Sequence, residues 1–179
     1  VTVVLIGPPA SGKSRIGKRI ARVLSLPFID TDKLIQAEHG PIPEIFAEHG
    51  EPYFRGLERA EVVRALGTDA VVSFGGGAVL DADTQRDIEG RAVVLLTVQA
   101  EVVAARLASG KRPLTPDVDA WIAVYAKRRE LYERLADHTV DTSNRPTDEV
   151  AAEIADWVRS HTGSPASASP ESPSMEKTS

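Results

Sequence analysis

The chain has 179 residues, 42% of them hydrophobic, with a formal charge of −5 from 26 acidic and 21 basic residues. That length suits one domain with a sizeable core, and the mild acidity gives no support to nucleic-acid wrapping or polybasic membrane attachment. The absence of cysteine excludes disulfides, thiolate catalysis and cysteine-ligated metals. The longest apolar runs are strand-sized, too short to span a membrane.

Val3 to Ile6 is a short, β-branched apolar run ending at Gly7, the pattern of a buried parallel strand. Gly12 to Leu24 reads as a helix with Ile16, Ile20 and Leu24 along one face. Between them Gly7-Pro8-Pro9-Ala10-Ser11-Gly12-Lys13-Ser14 fits G-x-x-x-x-G-K-[ST] at every required position. In that context the glycines free the backbone to curl its N–H groups toward phosphate oxygens, and the new helix adds its positive end. Lys13 is placed to span the β- and γ-phosphates, and the Ser14 hydroxyl to ligate Mg²⁺. No Asn-Lys-x-Asp base-reading motif is present, which favours ATP over GTP.

Pro27 to Ile29 is a second strand candidate ending at Asp30-Thr31-Asp32. The two carboxylates lie where open α/β sheets place ligands, and in extended chain they share a face. One would engage Mg²⁺ through water and the other an acceptor hydroxyl; a helix-capping Asp with an incidental neighbour is the plain alternative. Residues 34–48 read as helix interrupted near Gly40-Pro41 and Pro43, and Glu51 to Leu66 as a longer helix carrying Arg55 and Glu58.

Ala70 to Phe74 is a third strand, running into Gly75-Gly76-Gly77, whose run of glycine suits close backbone approach to a ligand. Ala92 to Val98 is a fourth. Helix is expected from Glu101 to Leu107, followed by a loop over residues 108–119 long enough for a flap, with Lys111 and Arg112 in it. Trp121 to Leu135 reads as helix, with Arg128 on a stripe shared by Tyr125 and Tyr132. An arginine there either snorkels along that surface or reaches a buried anion, and its fork suits a carboxylate or phosphate. His138 to Val140 is a fifth strand and Glu149 to Val158 a last helix, while residues 161–179, rich in Ser and Pro, read as a disordered tail. Alternating strands and helices imply a parallel sheet covered on both faces.

From Val3 to about Trp157 these elements resemble shikimate kinase, among the nucleoside-monophosphate-kinase-like P-loop kinases. The resemblance rests on Gly7–Ser14, Asp30-Thr31-Asp32, Phe54-Arg55-x-x-Glu58, Gly75-Gly76-Gly77, Arg112-Pro113-Leu114 and Tyr125 to Arg129, in that order. It implies an α/β, three-layer fold with a five-stranded parallel sheet in the order 2-3-1-4-5. Residues 1–160 would form the kinase domain, with a substrate-binding subdomain over about 32–60 and a lid over about 108–119. It further implies ATP-dependent phosphorylation of shikimate to shikimate 3-phosphate, with Mg²⁺, in the cytoplasm, within chorismate and aromatic amino-acid biosynthesis.

By the same resemblance Asp32, Arg55, Gly76 and Arg128 would hold shikimate, with Glu58 orienting Arg55 and Asp32 engaging the reacting hydroxyl. Lys13 and Arg112 would serve the phosphates, and Ser14 and Asp30 the metal. Gly7 to Ser14, Arg15, Arg106 and Pro146 would surround the nucleotide. Arg15 departs from the family, where Thr is usual, and Pro9-Ala10 stands where Pro-Gly or Met-Gly is commoner. Gluconate is a polyhydroxylated carboxylate too, but the triple glycine and the Phe-Arg-x-x-Glu string favour shikimate. A nucleotide-binding regulatory protein is the reading from another class, and a monomer without nucleic-acid or membrane partners is the expected state.

Overall fold

In the computed structural model, which describes residues 1–108 and 117–163, the apolar runs become strands buried on two sides. Strand β1 (Val3–Ile6) lies at the centre of a five-stranded parallel sheet. It pairs on one side with β3 (Val71–Ser73) and on the other with β4 (Ala92–Thr97), Val3 opposite both Val71 and Ala92. Outside them run β2 (Phe28–Asp30) and β5 (His138–Asp141), giving the order β2-β3-β1-β4-β5.

Successive strand residues point to opposite faces, and the core divides accordingly. Val3, Leu5, Val71, Val94 and Leu96 pack with Ile16 and Ile20 of α1 (Lys13–Leu24) and with Val150, Ile154 and Val158 of α8 (Thr147–Thr162). Val4, Ile6, Val72, Val93 and Leu95 pack with Val62 and Leu66 of α4 (Glu51–Leu66) and Tyr132 of α7 (Val118–Leu135). Two covered faces explain why the central strands carry almost no polar residue.

The expected helix over 34–48 is two helices, α2 (Thr31–His39) and α3 (Ile42–His49), because Gly40 and Pro41 end the first and start the second. With α4 they enclose a small core of Ile35, Ile45 and Phe54. A 3₁₀ turn at Ala78–Leu80 and helix α5 (Ala82–Asp87) follow the glycines and are additional to the sequence reading. Asp81 caps α5 by accepting from the Thr84 N–H, and Arg59 of α4 reaches across to Thr84 and Asp87.

Helix α6 (Ala100–Ala108) ends where the expected flap begins, and α7 starts at Val118, capped by Asp117. The rest of that flap, with Lys111 and Arg112, lies outside the described residues, as does the tail from residue 164.

Helix α8 continues to Thr162, so a domain boundary at 160 cuts its last turn. There the His161 ring stacks on Trp157 at 4.7 Å, and Trp157 stacks on His138 at 4.9 Å. An aromatic pair contributes about 1 kcal/mol. A chain ended at Gly163 should therefore melt about 2–4 °C above one ended at Ser160, in a comparison of thermal unfolding by circular dichroism. Equal melting temperatures would show that this turn adds nothing.

Candidate active site

The loop after β1 has to turn its N–H groups inward, and its carbonyls must then find donors elsewhere. The Lys13 ammonium donates to Gly7 O at 2.8 Å and Pro8 O at 2.9 Å. The Trp121 indole donates to Pro9 O at 2.7 Å, the Arg106 guanidinium to Ala10 O, and the Thr142 hydroxyl to Ser11 O at 2.8 Å. The Ile16 N–H completes the series on Gly12 O at 2.9 Å. Every carbonyl from residue 7 to residue 12 is thus held, and the amides opening α1 are left to face an anion.

The loop's curl needs left-handed backbone at Ala10, with φ of 64°, and at Gly12, with φ of 88°. Glycine would adopt the first at no steric cost. Here the Ala10 methyl is buried in a cluster with Val98, Val103 and Trp121, which offsets the strain.

Asp30 ends β2 and caps α2, its Oδ1 accepting from the Lys33 N–H while its Oδ2 accepts from the Ser14 hydroxyl at 2.5 Å. Asp32 therefore sits in the first turn of a helix and not on the strand face expected for it. It still reaches the cavity, because a helix starting at the strand's end turns its first residues back over the phosphate loop. Burial, and next the charge of Asp30, push the Asp32 carboxyl above the usual carboxylate range, against the opposing pull of Lys13 and Arg55. Its Oδ1 is buried with no donor among the described residues.

Glu58 is almost fully buried and accepts from Arg55 at 2.7 Å, and Glu51 holds the same guanidinium from the other side at 3.3 Å. Burial raises the Glu58 carboxyl. Burial works against the Arg55 charge, but Glu58 and Glu51 outweigh it, so the guanidinium is held above its ordinary value.

The three glycines make room for these groups. A Cβ on Gly75 would lie 2.5 Å from Asp32 Oδ1 and 2.9 Å from Glu58 Oε2. On Gly76 it would lie 3.3 Å from both Arg128 and the Pro9 ring, and on Gly77 it would overlap the Arg55 guanidinium. A cavity of about 840 Å³ joins the two sides and is lined by Lys13, Ser14, Asp30, Asp32, Gly76 and Arg128 among others.

Residues 9–159 match the family profile described as shikimate kinase. The chain belongs to that family. It is 42% identical over 157 residues to the shikimate kinase of Corynebacterium efficiens, covering 85% of this chain and 93% of the relative. It is 45% identical over 149 residues to the shikimate kinase of Mycobacterium avium, covering 79% and 84% respectively. The solved shikimate kinase from Acinetobacter baumannii in complex with shikimate superposes with a TM-score of 0.81, at 29% identity, over 89% of this chain and 93% of that one.

Of the residues singled out on the shikimate kinase pattern, Pro9, Ala10, Gly12, Lys13, Ser14, Asp30, Asp32, Gly76 and Arg128 share the cavity. Arg55 stands behind it against Gly77. Gly7, Pro8 and Ser11 are outside the lining and shape the loop through their carbonyls, which Lys13 and Thr142 hold. Arg15 is exposed on α1 and outside the cavity lining; half-buried Arg106, which donates to Ala10 O, and exposed Pro146, at the start of α8, also lie outside that lining.

Sequence reasoning missed Phe46 and Trp121, which form apolar walls of the cavity. Phe46 meets Phe54 at 4.8 Å across the break between α3 and α4, a contact that helical spacing does not signal. The Trp121 contact with Pro9 is nonlocal and had no signal.

Gly77→Ala should push the Arg55 guanidinium aside while leaving the fold intact, because only the end of a flexible side chain has to move. The expected result is a rise of about tenfold or more in the KM for the acceptor, equivalent to about 1.4 kcal/mol, with the ATP KM changed less than twofold. Steady-state kinetics at fixed saturating co-substrate read both values. An acceptor KM equal to wild type would show that the Arg55 position is immaterial.

Proposed function

We propose that the protein transfers the γ-phosphoryl group of ATP to the 3-hydroxyl of shikimate, giving shikimate 3-phosphate and ADP. The observation that carries this reading is the convergence, in one cavity, of the phosphate-loop Lys13 and Ser14 with the Asp32 carboxylate and the Arg128 guanidinium. Phosphoryl transfer asks chiefly for a hydroxyl held in line with the phosphate and for cations where charge moves.

In this reading Arg128, with Arg55 behind the glycines, faces the shikimate carboxylate, where a planar fork is the fitting partner. Asp32 orients the 3-hydroxyl and receives its proton. The Asp32 carboxylate suits that role, because it lines the cavity with Lys13 and Ser14 and burial raises its proton affinity. Lys13 neutralises charge on the β- and γ-phosphates. Arg112, outside the described residues, is assigned to the phosphates on the sequence pattern alone.

Mg²⁺ fits the oxygen pair of Ser14 and Asp30, which already lie at hydrogen-bonding distance. A hard cation that keeps several waters needs only one or two such protein oxygens beside the phosphates. When bound it supplies neutralisation of the phosphate charge. Arg106, Arg15 and Pro146 belong to the nucleotide side of the proposal, and residues 1–160 to the kinase domain, with about 32–60 taking the acceptor. The proposed state is a monomer. Cytoplasmic work without membrane or nucleic-acid partners completes the reading.

A coupled ADP-release assay comparing shikimate with gluconate tests the acceptor: shikimate should stimulate release and gluconate should not. Arg128→Ala should raise the shikimate KM about 10- to 150-fold, the loss of a charge-assisted hydrogen bond, and the ATP KM far less. Equal rises in both would move Arg128 to the nucleotide.

Asp32→Asn should lower kcat about 100-fold or more, the scale of a positioned acid–base group, and should also stabilise the protein. A carboxyl whose pKa is raised by folding detracts from stability wherever it is ionised, above its folded pKa. The neutral isostere removes that cost, so the mutant should melt above wild type at pH 7 by a few degrees, as active-site charges often allow. The difference should shrink as pH falls into the carboxylate range, where wild type itself takes up the proton. A mutant that melts below wild type at pH 7 would contradict the burial argument.

A further inference from the structure

Helix α7 carries Trp121, Tyr125, Arg128 and Tyr132 at spacings of four, three and four residues, one continuous stripe. The rings follow one another, Trp121 to Tyr125 at 5.3 Å and Tyr125 to Tyr132 at 6.3 Å between centroids. Both ends of the stripe are tied to backbone on the ligand side of the sheet. The Trp121 indole donates to Pro9 O of the phosphate loop at 2.7 Å, and the Tyr132 hydroxyl donates to Gly76 O of the glycine run at 2.5 Å. Both side chains are buried, at 4% and 1% exposure, so neither donor has water as an easy substitute.

These two carbonyls belong to the two halves of the reaction. Pro9 is in the loop that presents the phosphoryl donor, and Gly76 is in the segment that faces the acceptor. The halves also touch, since the Pro9 ring lies 3.3 Å from where a Gly76 Cβ would stand, with Arg128 at the same distance. The tie points are three helical turns apart on α7, about 16 Å at 1.5 Å per residue, on a helix whose buried face is part of the core. Burial, against the charge of Arg128, raises the Tyr132 phenol, which keeps it a donor.

We propose that the aromatic stripe of α7 is a brace that sets the spacing between the phosphate loop and the acceptor loop, with Trp121 and Tyr132 as positioning residues for phosphoryl transfer. Each acts through the backbone carbonyl it holds, and together they fix the distance the phosphoryl group must cross. Transfer that depends on in-line alignment is sensitive to such spacing: a misplacement of about 1 Å costs on the order of 100-fold.

The brace rests on the reading of the cavity as the site of shikimate phosphorylation, and its test separates the two. Trp121→Phe and Tyr132→Phe keep an aromatic ring and remove the donor to the loop carbonyl; the first also trims the cavity wall, and the second takes a hydroxyl from beside Arg128. Each should lower kcat about tenfold while changing the KM for ATP less than about threefold, and Trp121→Phe should hold the shikimate KM within the same range. The ratio of shikimate-dependent transfer to acceptor-free ATP hydrolysis should fall by a similar factor. The double variant should lose about as much as the worse single variant and not about 100-fold, because releasing either end already frees the spacing.

Three results would overturn the brace. One is a kcat within twofold of wild type in both single variants. Another is a double variant whose losses multiply. The third is a split in which Trp121→Phe raises only the ATP KM and Tyr132→Phe only the shikimate KM, which would make each a local support. Should Tyr132→Phe not fold, Trp121→Phe decides alone through the transfer-to-hydrolysis ratio, and an unchanged ratio ends the proposal. Wild-type ADP release that ignores shikimate is a different failure, that of the assigned reaction.

Discussion

A phosphate-binding loop works only if its amides point at the ligand, and the peptide bond then forces its carbonyls the other way. In this protein that constraint organises the surroundings of the site. The carbonyls of residues 7–12 are held by Lys13 and Ile16 from α1, Trp121 from α7, Arg106 from α6 and Thr142 from the end of β5. Thr142 donates as well toward Thr97 O at the end of β4. The loop is short and local, but the groups that keep its shape come from across the chain.

The acceptor side follows a complementary rule. Its ionic side chains are close-packed and partly desolvated, an arrangement that costs free energy unless each charge has a partner. Arg55 has Glu58 and Glu51. Asp32 has no such donor on its buried oxygen among the described residues, and burial raises its proton affinity. A site that tolerates such a group trades stability for readiness to bind.

Local order is where the sequence is most informative. The phosphate loop is a contiguous string, β1 and β4 are apolar runs, and α4 lies between Gly50 and Gly67, which mark its ends. Helix α5 escapes such a reading because six residues make too short a periodic signal, although Asp81 three places before Thr84 is a usable cap pattern. A shared strand face for Asp30 and Asp32 carries alternation one residue too far. Asp30 is also the cap of α2, so the plain reading of that residue and the functional one hold together. The burial of Glu58 is hidden too, since a charged residue in a polar helix reads as surface until its neighbours are known. The contact of Trp121 with Pro9 spans 112 positions, and local pattern carries no information at that range.

The run Gly75-Gly76-Gly77 has a consequence for how this chain can drift over generations. Glycine here supplies clearance for three different sets of neighbours, Asp32 with Glu58, Arg128 with Pro9, and Arg55. None of the three positions requires a left-handed backbone, as their absence among the positive-φ residues shows. Every other amino acid brings a Cβ, so a codon change at Gly75 or Gly77 that leaves the fold's dihedral angles untouched still displaces a charged group. Selection at these codons acts on the absence of an atom, and the usual exchange of one small residue for another offers no neutral step.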